Sequence, residues 1–329
     1  MANGISLAAV FLATALALNI GANNSAAEMG PAYGAGIRSR REAVVLIAIF
    51  CFAGATLAGH RVMATLGHGL IRSDALATNP LAAVIVVVAM LVLLVVANVL
   101  RVPVSTSQVA VGAVIGAGLF HQAADIGLFA TVAGWWVATP VAAFGISYVV
   151  GRHCYPRLVL LVGSLRSEQA VNRVMRAIVT VSGCWIAFSA GSNNLANSVG
   201  PVVGAGFLGA TTAVLLGGGG MALGALLLGG RLMKTVGKEI TALCPICATL
   251  VEAISASIVL TASLFGMPVS LAEIVTCSVI GFACAANGFR GTAGNYHIRR
   301  MAVLWPVAPL AAATLTFGGL VCVTTWSPI

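Results

Sequence analysis

The feature that most constrains this chain is that it repeats itself. Gly21-Ala22-Asn23-Asn24, followed by Gly30-Pro31 and Gly34-Ala35-Gly36, returns 170 residues later as Gly191-Ser192-Asn193-Asn194, followed by Gly200-Pro201 and Gly204-Ala205-Gly206. Arg61-Val62-Met63 returns as Arg231-Leu232-Met233, Pro103-Val104-Ser105 as Pro268-Val269-Ser270, and Trp136 with Pro140 as Trp305 with Pro309. The chain therefore reads as two fused halves, 1–150 and 177–329, joined by a basic linker over 151–176.

The solvent of these halves follows from composition. Hydrophobic residues make up 60% of the chain and charged residues 8%, whereas a soluble domain carries about a quarter charged. Segments such as Leu81 to Leu100 and Leu128 to Val150 are long enough to cross a hydrocarbon core, which takes about 20 helical residues. Apolar stretches at 5–20, 43–59, 81–100, 103–120, 128–150, 177–192, 208–230, 242–264, 268–286 and 302–325 give about ten spans. The first lacks a basic leader and runs into the first Asn-Asn motif, so it reads as a retained span rather than a signal peptide. Five spans per half is an odd number, so the second half enters the membrane from the opposite side. The expected fold is an all-α polytopic membrane protein, an inverted-topology repeat with broken or re-entrant helices at the midplane.

The net charge of +9 is an orientation signal. With the N-terminus outside, the inner loops collect Arg38, Arg40, Arg41, Arg101, Arg152, Arg157, Arg166, Arg173, Arg176, Arg231, Lys234, Lys238, Arg290, Arg299 and Arg300, leaving Arg61 and Arg72 outside. That asymmetry predicts both termini outside and removes the need for a nucleic-acid partner. The expected location is a cell membrane, multi-pass, of the prokaryotic inner-membrane kind.

In such a chain, paired polar segments interrupted by glycine are expected to be discontinuous helices building one midplane site. Asn23, Asn24, Asn193, Asn194 and Asn197 offer amides, while Ser25, Ser105, Thr106, Ser107 and Ser270 offer hydroxyls. A helix restarting after a break presents unpaired N–H groups and a positive dipole end, so the expected ligand is a small anion. Pro followed by Ser at 103–105 and 268–270 predicts capped helix starts facing the cavity. Glu28, Glu252 and Glu273 lie within apolar segments, where ionisable groups are costly and functional by default. With Gln108 they are the candidates for ion coupling, Glu28 and Glu252 foremost, while Glu273 suits a capping carboxyl in the first turn after Pro268. No metal site, cofactor or enzyme nucleophile–base set is expected.

The doubled Gly-Ala/Ser-Asn-Asn motif, Pro103-Val104-Ser105-Thr106-Ser107-Gln108, the Arg-Val-Met block and the Trp-x-x-x-Pro near each half's end resemble the inorganic phosphate transporter family, which includes phosphate symporters and a sulfate permease branch. The resemblance covers nearly the whole chain. It implies a secondary transporter importing an inorganic oxyanion by Na⁺ or H⁺ symport, with the motif residues around one substrate site and association as a homodimer.

The departures from that family are informative. Its phosphate symporters carry Asp where this chain has Asn24 and Asn194, Ala27 replaces a family asparagine, and the second Ser-Thr is Ser270-Leu271. Hydrogen phosphate keeps a proton that a carboxylate can accept, whereas sulfate is fully ionised and would be repelled by one; an amide can donate to it. The expectation is a proton-coupled symporter for sulfate or thiosulfate, with a phosphate symporter coupled to Na⁺ or H⁺ and a passive anion channel as alternatives. Two further features read as structural: Cys244-Pro245-Ile246-Cys247 as a packing element rather than a redox or metal motif, and Arg61 and Arg231, next to helix ends, as snorkelling arginines in preference to a gate contact.

Overall fold

The computed structural model describes residues 2–72, 75–99, 104–165, 167–231, 233, 244–289 and 296–326. Arg101, Pro103, Arg166, Leu232, Lys234, Lys238 and Arg290 lie outside the described residues. The helices run in the order α1 (Ala2–Gly34), α2 (Arg40–Ala58), α3 (His60–Ala64), α4 (Ala75–Thr78), α5 (Pro80–Val99), α6 (Thr106–Phe120), α7 (Ile126–Val149), α8 (Tyr155–Gly163), α9 (Glu168–Gly204), α10 (Ala210–Gly224), α11 (Pro245–Leu264), α12 (Leu271–Asn287) and α13 (Tyr296–Trp326). Among the described residues, 8 helical segments are long and apolar enough to cross a membrane, while α6 and α12 are apolar but shorter. At 1.5 Å per residue these two reach roughly 25 Å or less, short of a full crossing.

Their shortness locates the discontinuities, and not where the sequence motif suggested. Helices α1 and α9 run unbroken through Asn23-Asn24 and Asn193-Asn194, over 33 and 37 residues. The physical reason is the solvent: in lipid a broken turn leaves N–H and C=O groups that no water can satisfy, so a helix continues through glycine and asparagine. The breaks fall instead ahead of α6, at residues 104–105, and ahead of α12, over 265–270.

What the motif glycines do is admit a neighbouring backbone. A β-carbon on Gly21 would overlap the Met221 carbonyl oxygen, and one on Gly191 would overlap that of Cys51. Likewise Gly54 abuts the Phe188 backbone and Gly224 that of Leu18. These contacts are pairwise images of each other at the repeat spacing, so α1 packs on α10 as α9 packs on α2. A second set obeys the same symmetry, with Gly116 against Ala313 and Gly281 against Phe144, pairing α6 with α13 and α12 with α7. Even the helix ends match: Gly36 (φ 68) and Gly206 (φ 72) close α1 and α9 in left-handed turns. In each, the residue after the glycine donates back to the residue after Pro31 or Pro201, at 3.0 and 3.1 Å. Small residues supply helix association in lipid, where apolar side chains gain little from burial.

Most of the 151–176 linker is helical. After α7 a π-helical turn at Val150–Cys154 leads into α8, and α9 begins at Glu168.

At the end of the molecule carrying Arg72, two connections are clamped together. The Arg72 N–H donates to the Ala123 carbonyl at 2.7 Å and the Asp125 N–H to the Leu70 carbonyl at 2.9 Å. The Arg72 Nε donates to the Asp125 carboxylate at 2.8 Å. Asp125 also caps α7, accepting from the Leu128 N–H at 2.9 Å. The hydrogen bond from Arg72 holds this carboxyl down at about 2, below its ordinary 3.8. A depressed pKa contributes stability that is complete above the unfolded value and lost as pH falls through the folded one. Asp125→Asn should therefore lower the thermal midpoint of detergent-solubilised protein at pH 7, with variant and parent converging near pH 2; a difference that persists there would show that the carboxylate is not its source.

Candidate anion site

The site grows from two helix starts. Ser105 is extended (φ −75, ψ 117) and accepts from the Gln108 N–H at 3.2 Å. Ser270 is extended (φ −89, ψ 107) and accepts from the Glu273 N–H at 3.3 Å. Each cap satisfies one of the N–H groups a helix start leaves unpaired and leaves the others for a ligand. The two starts face each other: the Gln108 side chain lies beside the Glu273 carboxyl. Two positive dipole ends thus converge on one buried region.

Helix α9 binds both starts with one face. Asn193 Nδ2 donates to Ser263 Oγ at 3.0 Å and to the Met267 carbonyl at 3.1 Å, while its Oδ1 accepts from the Val269 N–H at 3.2 Å. The Ser107 hydroxyl reaches the same Oδ1 at 3.5 Å. One turn on, Asn197 Nδ2 donates to Ser107 Oγ at 3.0 Å and to Asn194 Oδ1 at 2.9 Å. Thr106 Oγ1 donates to Asn194 Oδ1 at 3.4 Å. Trp136 fixes the approach to α12 by donating from Nε1 to the Pro268 carbonyl at 2.9 Å. Sequence reasoning had Trp136 as a repeated residue without a role; for Ser263 and Met267 no sequence signal existed.

The structure brings together Ser105, Thr106, Ser107, Gln108, Asn193, Asn194, Asn197, Ser270 and Glu273. Among the described residues, the first copy of the motif is not drawn into the same network. The Asn23 side chain donates to Asn19 at 3.0 Å on its own helix, and the Asn24 side chain makes no hydrogen bond among the described residues. Ser25 donates to the Gly21 carbonyl at 2.8 Å and packs against Gly229. The repeat explains the asymmetry: Thr106-Ser107 corresponds to Leu271-Ala272, which has no hydroxyl to offer. Two carboxyls also stand apart. Glu28 is buried beside Cys51, and Glu252 accepts from Ser182 at 2.5 Å.

Two further contacts bear on the sequence expectations, and the second corrects one. Arg61, exposed at its helix end, also bonds across helices: its Nη1 donates to the Leu264 carbonyl, tying α3 to the C-terminus of α11. Cys244 and Cys247 are joined in a disulfide, because Cys244 caps α11 with Pro245 behind it and Cys247 falls one turn on, 5.2 Å away between Cα atoms.

Buried amides and hydroxyls, two opposed half-helix starts and a lipid-facing exterior define a class, the multi-pass membrane transporter with an inverted repeat. The match to the phosphate transporter family model over residues 20–316 makes the assignment particular: the chain belongs to that family. It is 36% identical to the sulfate permease CysP of Bacillus subtilis over 317 residues, 95% of this chain and 86% of the relative. It is 27% identical to the putative phosphate permease PF1020 of Pyrococcus furiosus over 365 residues, 87% of this chain and 88% of the relative. A solved structure titled the sodium-dependent phosphate transporter shares the fold, with a TM-score of 0.80 at 23% identity over 97% of this chain and 99% of that one. The relatives are permeases and not enzymes.

Proposed function

We propose that this chain imports a sulfate-type oxyanion, sulfate or thiosulfate, by proton symport. The observation that supports it most is the site itself: two capped helix starts and a cluster of amides and hydroxyls, with Asn194 where the phosphate symporters carry a carboxylate. Its greater identity to a sulfate permease than to a phosphate permease agrees with this reading. Moving a dianion inward against a negative interior costs about 2.3 kcal/mol per charge per 100 mV, so uptake needs cotransported cations. Alternating access follows from the repeat, one bundle rocking against the other around the site. In this reading both termini lie outside, the Arg72–Asp125 clamp faces outward, and the cavity lined by Ile37, Asn172, Arg173 and Arg176 opens to the cytoplasm; the functional unit is a homodimer.

Exchanging Asn24 and Asn194 together for Asp should shift competition between labelled sulfate and phosphate toward phosphate. An unaltered preference in that variant would remove the amides as the specificity determinant. A second reading, sodium-coupled phosphate uptake, is favoured by the shared fold with a sodium-dependent phosphate transporter; in that case the amides would be tolerated substitutes for the carboxylates.

A further inference from the structure

Hydrogen-bond accounting around the site leaves a particular gap. Gln108 Oε1 and Glu273 Oε1 are both buried without a donor, in residues 3% and 2% exposed. The two residues hold the same position in the two half-helices, third from each start, and their side chains lie next to each other. An ionised carboxylate only accepts, so Gln108 can serve it only through its amide N–H. That leaves two acceptors on one pair with nothing to accept, and a buried acceptor left unpaired is costly. One proton resolves both. A protonated Glu273 donates its O–H to Gln108 Oε1 while the amide N–H donates back, closing an acid–amide pair.

We propose that Glu273, paired with Gln108 across the two half-helices, is the carboxyl that carries the cotransported proton. This rests on the proton-coupled oxyanion reading above and assigns the coupling to a residue that the sequence alone favours as a helix cap. The cycle balances: a proton from water joins the Glu273 carboxylate, the anion occupies the two helix starts, and both leave on the other side, regenerating the carboxylate. Ionised, Glu273 would occupy the dipole ends itself and repel a dianion; neutral, it yields them. That linkage makes anion binding depend on proton binding without contact between the two.

The surroundings suit this role. On α12 itself the titratable neighbour is Cys277, one turn along from Glu273. The elements packed on α12 are α7, α11 and the π-helical turn, which carry Tyr148, Glu252, Arg152, His153 and Cys154. α6, which brings Gln108, carries no titratable residue. No cation forms an ion pair with Glu273 among the described residues. Glu252 and Glu28 lack the position: Ser182, which holds Glu252, lies about three helical turns along α9 from Asn193, and Glu28 sits beside Cys51.

The test uses full-length protein in proteoliposomes and two assays with labelled sulfate, counterflow at equal pH and concentrative uptake under a proton gradient. Glu273→Gln, neutral at every pH, should remove the pH dependence of counterflow and abolish concentrative uptake, while Glu28→Gln and Glu252→Gln keep the gradient response. Proton-driven accumulation that survives in Glu273→Gln overturns the proposal, as does its loss in Glu252→Gln alone. Should Glu273→Gln fail to fold, Glu273→Asp draws the carboxyl away from Gln108 and should move the pH midpoint of counterflow; an unmoved midpoint overturns it equally. Failure of the parent itself to exchange sulfate would instead strike the substrate reading, and would be seen before any variant is made.

Discussion

Replacing Asn193 with alanine should lower substrate uptake about 100-fold or more, the loss that follows when a binding group is displaced by about 1 Å. Asn193 is where α9 meets both half-helices, through Ser107 on one side and Met267 and Val269 on the other. Without it the Met267 carbonyl and Val269 N–H lose the partner that the side chain supplies, at about 1–3 kcal/mol for each buried group left unpaired. The segment 265–270 that delivers Ser270 then loses its central anchor, while Trp136 holds only its edge at Pro268. Initial rates in proteoliposomes, normalised to reconstituted protein, measure the effect; Asn23→Ala, whose side chain bonds Asn19 on its own helix, should cost far less. Unchanged uptake in Asn193→Ala would show that α12 is not part of the site.

The second large effect concerns the scaffold. Gly191→Val should prevent assembly, because even a β-carbon there collides with the Cys51 backbone and a helix backbone cannot shift as a side-chain tip can. Overpacking costs about 1–3 kcal/mol where side chains can adapt, and more where they cannot. Gly219→Val is the control, since nothing lies within 4 Å of a β-carbon at that glycine. Size-exclusion profiles of detergent extracts should show Gly191→Val aggregated and Gly219→Val monodisperse. Two monodisperse variants would mean that the α9–α2 contact is looser than described.

These two residues also show where the sequence was legible and where it was not. The repeat announced the symmetry, and the symmetry is physical: Gly191 on Cys51 mirrors Gly21 on Met221. The Pro-Val-Ser segments announced capped helix starts, and Ser105 and Ser270 are such caps. The position of the breaks was misleading, because glycine beside asparagine is a turn signal in water, whereas in lipid the same residues stay helical and serve close packing. Pairing was illegible altogether. Nothing in one sequence says that Asn193 meets Ser107 while Asn23 stays on its own helix, since that depends on Thr106-Ser107 having Leu271-Ala272 as their images. The sequence ranking of the three buried glutamates, Glu28 and Glu252 foremost, had no partners to draw on, since the place of Gln108 beside Glu273 is a fact of the fold.

The central claim is that the paired half-helices and the asparagine face of α9 hold an oxyanion of the sulfate type for proton-driven import. Uptake of radiolabelled sulfate into proteoliposomes, with unlabelled phosphate as competitor, under an imposed proton gradient and then a sodium gradient, tests it most directly. The account predicts that sulfate accumulates under the proton gradient and that phosphate competes poorly; phosphate accumulating under sodium, undiminished by sulfate, would contradict it.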